Sequence, residues 1–506
     1  MHGTLARLIA VVTLVAVIAC GTPTPVGVGG VVSVTIAGGD RSLALGGTFT
    51  LTATVETTGN ASDAITWTSS DVAVATVDAA GTVTSLTAGV TTITATSTTD
   101  ATMSDSIILT VVDPQDTLTW TRQFGTRLYD EPTGIATDAN GNVYVSGWTT
   151  GVLEGSGFIG NDAFIRSYDR DGSVRWTRQF GTDGSDVAVG IASDADGNVY
   201  VSGYTSGVLE GEHLGGFDAF VRSYDSRGNL RWTRQFGTGS NDEASAIATD
   251  ANGNVYVSGF TRGDLERRNL GGRDAFVRSY DSRGTLRWTR QFGTDAEDEA
   301  TGIATDANGN VYVAGWTTGA LAGSNLGSLD AFVRSYDRNG SLRWTRQFGT
   351  GTLDMATGIA TDAGGNVYAI GDTRGALEGE HLGGVDAFVR SYDRNGSLRW
   401  TRQFGTGSAE HARGIAIDLN GNVYAAGQTG GDLEGSNLGS YDAFVRSYDR
   451  DGTLRWTRQF GTSEFDTATG VASDADGIVY VAGGTSGDLE GDNVGDLDVF
   501  IRKLGP

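Results

Sequence analysis

The 506-residue chain has one cysteine, five prolines, three methionines and one lysine. With Cys20 as the sole cysteine, no intramolecular disulfide can form, and paired-cysteine metal or redox motifs are excluded. Basic residues are also scarce: 36 Lys and Arg stand against 61 Asp and Glu, for a formal net charge of −25. Nucleic acid and anionic lipid are therefore disfavoured as partners, because both would repel an acidic surface. Nucleophile-elbow and phosphate-loop motifs are missing too, and no catalytic signature stands out.

Long apolar runs are missing after the first twenty residues. Residues 1–19 carry Arg7 and an apolar run from Leu8 to Ala19, which matches the core of a secretory signal and is too short to span a bilayer. The run ends at Val17-Ile18-Ala19-Cys20, which resembles a bacterial lipobox. That resemblance implies lipid modification of Cys20, a membrane anchor and a place in the cell envelope, at the outer membrane or the cell surface. The alternative is an ordinary signal peptide that happens to contain a cysteine.

Residues 20–30 contain two of the prolines and much glycine, and predict a linker. Residues 31–112 are instead rich in Thr, Val and Ala, with alternating runs such as 49–55 and 91–96 that predict half-buried strands of a β-sandwich. Residues 65–97, with Trp67, Asp71, Gly81 and Gly89, are similar to a group 2 bacterial Ig-like domain. The resemblance implies a spacer or an adhesive module.

The strongest pattern is the phrase WTRQFGT, which occurs seven times at a spacing of 56 residues without insertion. Each copy contains four short strand-like runs separated by Asp-x-x-Gly turns, for example Asp138–Gly141 and Asp169–Gly172. Seven four-stranded sheets predict a seven-bladed β-propeller over residues 117–504. The fold class is therefore all-β, a seven-bladed propeller preceded by an Ig-like β-sandwich.

The two ends of the repeat region predict how the ring closes. The first copy begins with a WTRQF strand that has no sheet before it, and the last copy ends at 498–504 without a WTRQF strand after it. Residues 117–124 can therefore complete the final blade and leave no open edge. The phrase GIATDANGNVYVSGWT at 134–149 and its counterparts resemble the bacterial beta-propeller repeat family called SBBP, which implies this fold and no particular activity.

Acidic residues recur ten positions after each tryptophan, on connections that also differ most between copies. Two readings are open: a ring of carboxylates at the channel that binds a cation such as calcium, or seven side chains that each bond to the backbone of their own loop. The positions are Asp130, Asp186, Asp242, Asp298, Asp354, Glu410 and Asp466.

Other repeated polar residues favour structural roles. Asp162 and Arg166, with their six counterparts, predict Asp–Arg pairing or Arg–aromatic stacking within each sheet. Asp138 to Asn142 has the wrong spacing for an EF-hand loop and predicts a β-turn. His213 and His381 predict loop residues, and with His411 they show no metal-ligand spacing.

These observations predict a monomeric, lipid-anchored surface protein whose propeller rim binds a surface protein or a polysaccharide, without an enzymatic activity. An enzyme should show one or two blades that depart sharply from the others at the channel, and the departures noted, such as Glu410 for Asp and Ala322 for Glu, are small. Two alternatives stay open: an extracellular enzyme that acts on glycans with channel carboxylates as acid and base, and a purely structural surface component. Apart from the possible calcium ion, no cofactor is expected.

Overall fold

A computed structural model describes residues 29–505, apart from residues 38, 40, 45, 88, 113–117, 156 and 158. Residues 1–28, and with them the lipidation site expected at Cys20, lie outside the described part. The chain separates into two compact units, Met1–Pro114 and Gln115–Pro506. In the described ranges no helix is long and apolar enough to cross a membrane.

The first unit is a small β-sandwich. Its strands are β1 (Val31–Ile36), β2 (Arg41–Ala44), β3 (Thr48–Thr50), β4 (Ala53–Thr57), β5 (Ile65–Ser69), β6 (Ala75–Val77), β7 (Thr82–Ser85), β8 (Gly89–Ser97) and β9 (Ser104–Val112). They form sheets in the orders β1-β4, β2-β9-β8-β5 and β3-β7-β6. Strand β8 alternates buried and half-exposed residues, as a strand with one face on a core does. Ile93, Leu109 and Val83 lie in that core, fully buried or nearly so.

The second unit consists of seven four-stranded antiparallel sheets, here called blades 1 to 7. Blades 1 to 3 comprise β11 (Asp130–Thr137), β12 (Val143–Thr149), β13 (Asp162–Tyr168) and β14 (Val174–Phe180); β15 (Asp186–Ser193), β16 (Val199–Thr205), β17 (Asp218–Tyr224) and β18 (Leu230–Phe236); and β19 (Asp242–Thr249), β20 (Val255–Thr261), β21 (Asp274–Tyr280) and β22 (Leu286–Phe292). Blades 4 to 6 comprise β23 (Asp298–Thr305), β24 (Val311–Thr317), β25 (Asp330–Tyr336) and β26 (Leu342–Phe348); β27 (Asp354–Thr361), β28 (Val367–Thr373), β29 (Asp386–Tyr392) and β30 (Leu398–Phe404); and β31 (Glu410–Ile417), β32 (Val423–Thr429), β33 (Asp442–Tyr448) and β34 (Leu454–Phe460). Blade 7 comprises β35 (Asp466–Ser473), β36 (Val479–Thr485), β37 (Asp498–Leu504) and β10 (Leu118–Phe124).

Blade 7 closes the ring. Strand β10, from the start of the repeat region, pairs antiparallel with β37, with Leu118 opposite Leu504 and Phe124 opposite Val499. The inner strands of neighbouring blades contact each other all the way round, including β11 with β35. The predicted all-β fold with a seven-bladed propeller is therefore confirmed, and so is the predicted closing pair.

The cores of the propeller lie between blades rather than within them. One apolar cluster joins Tyr144 and Ile165 of blade 1 to Val199 and Phe220 of blade 2, and six similar clusters occupy the other junctions. Trp176, on the outer strand of blade 1, packs in the first of these and donates its Nε1–H to the carbonyl of Ser226 in blade 2, at 3.2 Å. Six of the seven tryptophans make this bond to the next blade, and Trp456 packs on the cluster of its junction without it.

Candidate ligand-binding site at the channel mouth

The seven acidic residues ten positions after each tryptophan are fully buried at the blade junctions. Asp130 Oδ2 accepts hydrogen bonds from the backbone N–H of Thr126 at 2.6 Å and from the Thr126 hydroxyl at 2.9 Å. Its own backbone N–H donates to the carbonyl of Leu497 in blade 7, at 3.1 Å. The side chain of each acidic residue therefore stabilises the connection that precedes its strand, and its backbone N–H binds that connection to the preceding blade.

A second buried aspartate faces each of these residues across the glycine of WTRQFGT. A Cβ atom added to Gly237 would lie 2.5 Å from Asp218 Oδ1 and 3.1 Å from Asp242 Oδ2, so only glycine fits between the two carboxylates. Burial raises the pKa of Asp242, hydrogen bonds from Thr261 and Thr238 oppose the shift, and the charge of Asp218 adds to it. The phrase WTRQFGT thus places its glycine where two carboxylates meet.

Of the two readings left open for the seven acidic residues, the structure contains the bonds to their own connections and not a ring of carboxylates at the channel. None of them lines the channel cavity, because each side chain turns into the blade junction instead of toward the axis. Within the described ranges, no group of three His, Cys, Asp or Glu side chains could hold a metal ion. The cation reading thus loses the geometry that suggested it, and a direct measurement with calcium decides it.

Calcium is expected to have little effect on the propeller, because the seven carboxylates already accept hydrogen bonds from their own connections. A ligand that bound only the folded state at millimolar concentration would raise its melting temperature. The measurement is a thermal melt of the whole protein with 5 mM EGTA and with 5 mM calcium chloride, with magnesium chloride as the control cation. A rise in melting temperature seen with calcium alone would restore the cation site.

The other repeated polar residues behave as structural parts. Of the two interactions predicted for the strand-three residues, the structure contains Arg–aromatic stacking: the Arg166 guanidinium lies 4.1 Å from the centre of the Phe124 ring, and the other six arginines stack likewise. Asp162 instead accepts a hydrogen bond from the Gln179 side chain. At the opposite ends of the strands, Gly141 N–H donates to Asp138 O at 3.0 Å, which closes the predicted β-turn.

The inner strands enclose a channel cavity of about 620 Å³. Every inner strand carries a β-bulge, and the extra residue, thirteen positions after the tryptophan, faces this cavity. These residues are Thr133, Val189, Ser245, Thr301, Thr357, Arg413 and Thr469. Several of these threonines connect neighbouring inner strands by a hydrogen bond. The Thr301 hydroxyl, for example, donates to the carbonyl of Ala356 in the next blade at 2.7 Å. Arg413 is the one charged residue in this ring.

At the mouth of the channel the blades differ strongly from one another. Eleven positions after the tryptophan the residues are Glu131, Val187, Glu243, Glu299, Met355, His411 and Thr467. Their cross-strand partners are Trp148, Tyr204, Phe260, Trp316, Asp372, Gln428 and Gly484. These fourteen positions are called the mouth residues below. The mouth residues differ between blades much more than positions 410 and 322, where Glu410 replaces Asp and Ala322 replaces Glu.

Blades 1 to 4 give the mouth an aromatic and acidic arc. The Tyr129 ring stacks on the Trp148 ring, with the centres 5.1 Å apart. Burial raises the pKa of Glu131, and a hydrogen bond from Tyr129 and the charge of Arg413 oppose that shift. Burial also raises the pKa of Glu243, with a further increase from the charge of Glu299.

Blades 3 and 4 are joined across this arc by an arginine. Arg273 forms an ion pair with Glu299 and lies over the Phe260 ring, 4.3 Å from its centre. Burial raises the pKa of Glu299, and the charge of Arg273 and its hydrogen bond oppose the shift. An arginine held on both sides in this way gives the arc a fixed shape.

Blades 5 and 6 contribute a histidine held by a buried carboxylate. His411 Nδ1 lies 2.7 Å from Asp372 Oδ2, and the backbone N–H of Ala412 donates to Asp372 Oδ1 at 3.0 Å. The Asp372 residue is only 2% exposed. The predicted loop positions of His213 and His381 are confirmed, but His411 lies on the inner strand of blade 6. The functional candidates missed in the sequence, Asp372 among them, could have been found by comparing the seven copies position by position.

The comparisons with known proteins agree with this architecture. The chain contains SBBP beta-propeller repeats, matched at residues 119–154, 175–210, 231–266, 287–321 and 399–434, and a group 2 bacterial Ig-like domain, matched at residues 31–105. It is 26% identical to the regulatory protein FlaEY of Caulobacter vibrioides over 364 residues, which are 61% of this chain and 38% of that protein. It is 20% identical to an uncharacterized WD repeat-containing protein of Acanthamoeba polyphaga mimivirus over 496 residues, 72% of this chain and 36% of that protein.

The chain thus spans well under half the length of the curated relatives that it matches. Among solved structures, Sqt1 from Chaetomium thermophilum is 12% identical and has a TM-score of 0.42, with 76% of this chain and all of that chain covered. A polysaccharide lyase, an ulvan lyase, is also 12% identical, with a TM-score of 0.41 and coverage of 76% and 96%.

Proposed function

We propose that this chain, a propeller of SBBP repeats that follows a bacterial Ig-like domain, is a lipid-anchored envelope protein that binds a polysaccharide or a protein at the mouth of its channel. The observation that carries the proposal is where the blades differ. Junction carboxylates, tryptophans and turns recur in every blade, whereas the mouth residues change from blade to blade. Variable side chains on one rim of a rigid scaffold are typical of a binding surface.

The fold itself does not require the particular mouth residues. Blade 7 forms the same four-stranded sheet with Thr467 and Gly484 that blade 1 forms with Glu131 and Trp148. The partly exposed side chains of the aromatic and acidic arc, such as Trp148, Tyr204 and Glu131, are therefore available for a ligand, whereas Phe260 is buried under Arg273. Aromatic faces pack against apolar faces of sugars and peptides, and carboxylates accept hydrogen bonds from hydroxyl or amide groups. A concave site with an apolar lining and a few convergent polar groups suits such a ligand.

Binding of a ligand panel by the whole mature protein tests the proposal. The panel consists of immobilised bacterial and plant polysaccharides and envelope proteins, and the variants are Trp148→Ala and Glu131→Gln. Each variant is expected to bind about tenfold more weakly to the panel member that the wild-type protein binds, because each substitution removes a contact without altering a residue that the fold requires. The control is Leu419→Ala, which changes a 74%-exposed side chain at the turn between β31 and β32, at the other end of the strands. Equal binding by all four proteins would contradict a site at the mouth.

A second candidate, an enzyme that acts on extracellular glycans, is favoured by the His411–Asp372 pair. A buried carboxylate that holds one ring nitrogen of a histidine orients the other nitrogen, which is the arrangement of a general base. The test is the release of reducing ends from each polysaccharide that the protein binds, with His411→Asn as the inactive variant. Binding without product release would leave the non-enzymatic proposal in place.

The membrane anchor is the part of the proposal that depends on Cys20. The Cys20→Ser variant is expected to accumulate in the soluble fraction or as unprocessed precursor, because serine in place of Cys20 removes the proposed site of lipid attachment. Without acyl chains at this residue the protein loses its stable membrane anchor. Fractionation of cells expressing either protein, with labelled palmitate to detect lipid, measures this. Unchanged membrane fractionation of the variant would contradict the anchor.

A further inference from the structure

Arg413 is the structural exception within the channel. It occupies the bulge of the inner strand of blade 6, where four other blades have threonine. Its side chain is exposed to the cavity, and no hydrogen bond or ion pair joins it to any other residue in the described ranges. A guanidinium carries five N–H donors and a permanent charge, so this side chain is equipped for a ligand that the protein itself does not supply.

The surroundings of Arg413 strengthen its attraction for an anion. The neighbouring wall alternates isoleucine side chains, such as Ile415 and Ile359, with hydroxyl groups of threonine and serine, and is about as polar as it is apolar. A charge in a concave cavity is nevertheless screened less than a charge on an open surface. Glu131 is the only other charged residue in the described lining; the charge of Arg413 acts on it, but the two form no ion pair within the described residues. Phe465, Tyr129 and the Gln428 amide complete the outer end of the cavity.

The chain just before Arg413 is held in place. Asp372 accepts hydrogen bonds from the Ala412 backbone N–H and from the His411 ring, so the two residues that precede Arg413 are both fixed to blade 5. In this way a buried carboxylate on one blade positions an arginine on the next. Such support is what a preorganised binding group requires.

We infer that Arg413 forms a subsite for the carboxylate or sulfate group of an acidic saccharide whose end enters the channel. The inference rests on the proposed function and names its ligand class. A cavity of about 620 Å³ is within the range of small-ligand sites and has room for a sugar unit. The anionic group meets Arg413, the ring packs beside Tyr129 or Phe465, and the hydroxyl groups donate to Glu131. Because the protein carries a charge of −25, a ligand with one anionic group at the channel is favoured over a peptide of many acidic residues.

The test uses the whole mature protein and calorimetric titration with short neutral oligosaccharides that end in a single galacturonate, mannuronate or sulfated glucose unit, each at 50 mM and 300 mM salt. The methyl esters of the two uronates and the unsulfated oligosaccharide are the uncharged counterparts. At least one acidic oligomer is expected to bind about tenfold more tightly than its uncharged counterpart, and Arg413→Thr is expected to abolish that difference. Threonine is the residue of four other blades at this position, so the variant should keep the melting temperature of the wild type.

Two controls separate the subsite from general electrostatics and from the proposed function. Arg283→Thr removes an exposed charge at the turn between β21 and β22 and is expected to bind as the wild type does. Equal affinity of Arg413→Thr and wild type, preference for an acidic peptide over every acidic oligomer, or no binding of any acidic oligomer would overturn the inference. If a neutral glycan or a protein still binds, and binding is lost in Trp148→Ala, the proposed function stands while the subsite fails.

Discussion

Deletion of residues 1–125 is expected to turn the soluble ring into an aggregating protein, whereas deletion of residues 1–112 leaves a soluble monomer. The longer deletion removes β10, so β37 loses the partner that pairs with it from Leu118 to Phe124. It also removes Trp120 and Phe124, which pack on the cluster that joins blade 7 to blade 1. An exposed strand edge beside an uncovered apolar surface favours intermolecular pairing.

Size-exclusion chromatography with light scattering and a thermal melt measure this result. The two truncations differ by thirteen residues, so loss of the Ig-like domain is common to both and cannot explain a difference between them. A monomeric, cooperatively melting protein from both truncations would show that the ring does not depend on β10.

Replacement of Trp288 by alanine is expected to lower the free energy of unfolding by about 3 kcal/mol. Trp288 donates its Nε1–H to the carbonyl of Arg338 in blade 4 at 3.2 Å, and its ring lies 5.9 Å from the Tyr256 ring and 6.4 Å from the Tyr336 ring. Gly340 of blade 4 lies against the same indole, where a Cβ atom would be 2.9 Å from it. The loss falls at the low end of the range for a tryptophan because this side chain is only half-buried.

The matched control is Trp148→Ala, which removes a tryptophan from the mouth instead of from a junction. Denaturant unfolding is expected to separate the two variants: Trp288→Ala loses stability and keeps ligand binding at low temperature, and Trp148→Ala shows the reverse. A neutral Trp288→Ala variant would mean that these tryptophans serve as an exposed stacking surface.

The architecture could be predicted because its signals are local and repeated. The 56-residue spacing, the Asp-x-x-Gly turns and the unmatched WTRQF phrase at 118–124 indicate seven sheets and their closure. The bounds of the inner strands could not be predicted as well. The sequence indicates a short strand at 134–137, whereas β11 begins at Asp130. The missing part is the β-bulge between Pro132 and Gly134, which no local residue preference reveals.

That bulge also explains why the candidate site was missed. The sequence places position ten near the channel because its connection lies on the rim; Asp130 is instead buried in the junction, and the bulged residue at position thirteen faces the cavity. The mouth residues depend on pairing at a distance, since Glu131 and Trp148 lie seventeen residues apart and meet only across two strands. Local chemistry could identify the repeated carboxylates as important, but not where they lie.

Strand β10 has a consequence for how the ring could be assembled from a different starting point. Leu118 and Leu504 are cross-strand partners, as Val174 and Tyr168 are in blade 1, where a five-residue turn connects them. The same turn could join residue 504 to residue 118, and the chain could be reopened at any other outer turn, such as residues 281–285. All six circular permutants made in this way would retain the same blade contacts, because each junction uses the same kinds of side chain. The linear order of the blades is therefore interchangeable for folding, while the residues at the mouth and in the channel distinguish one blade from another.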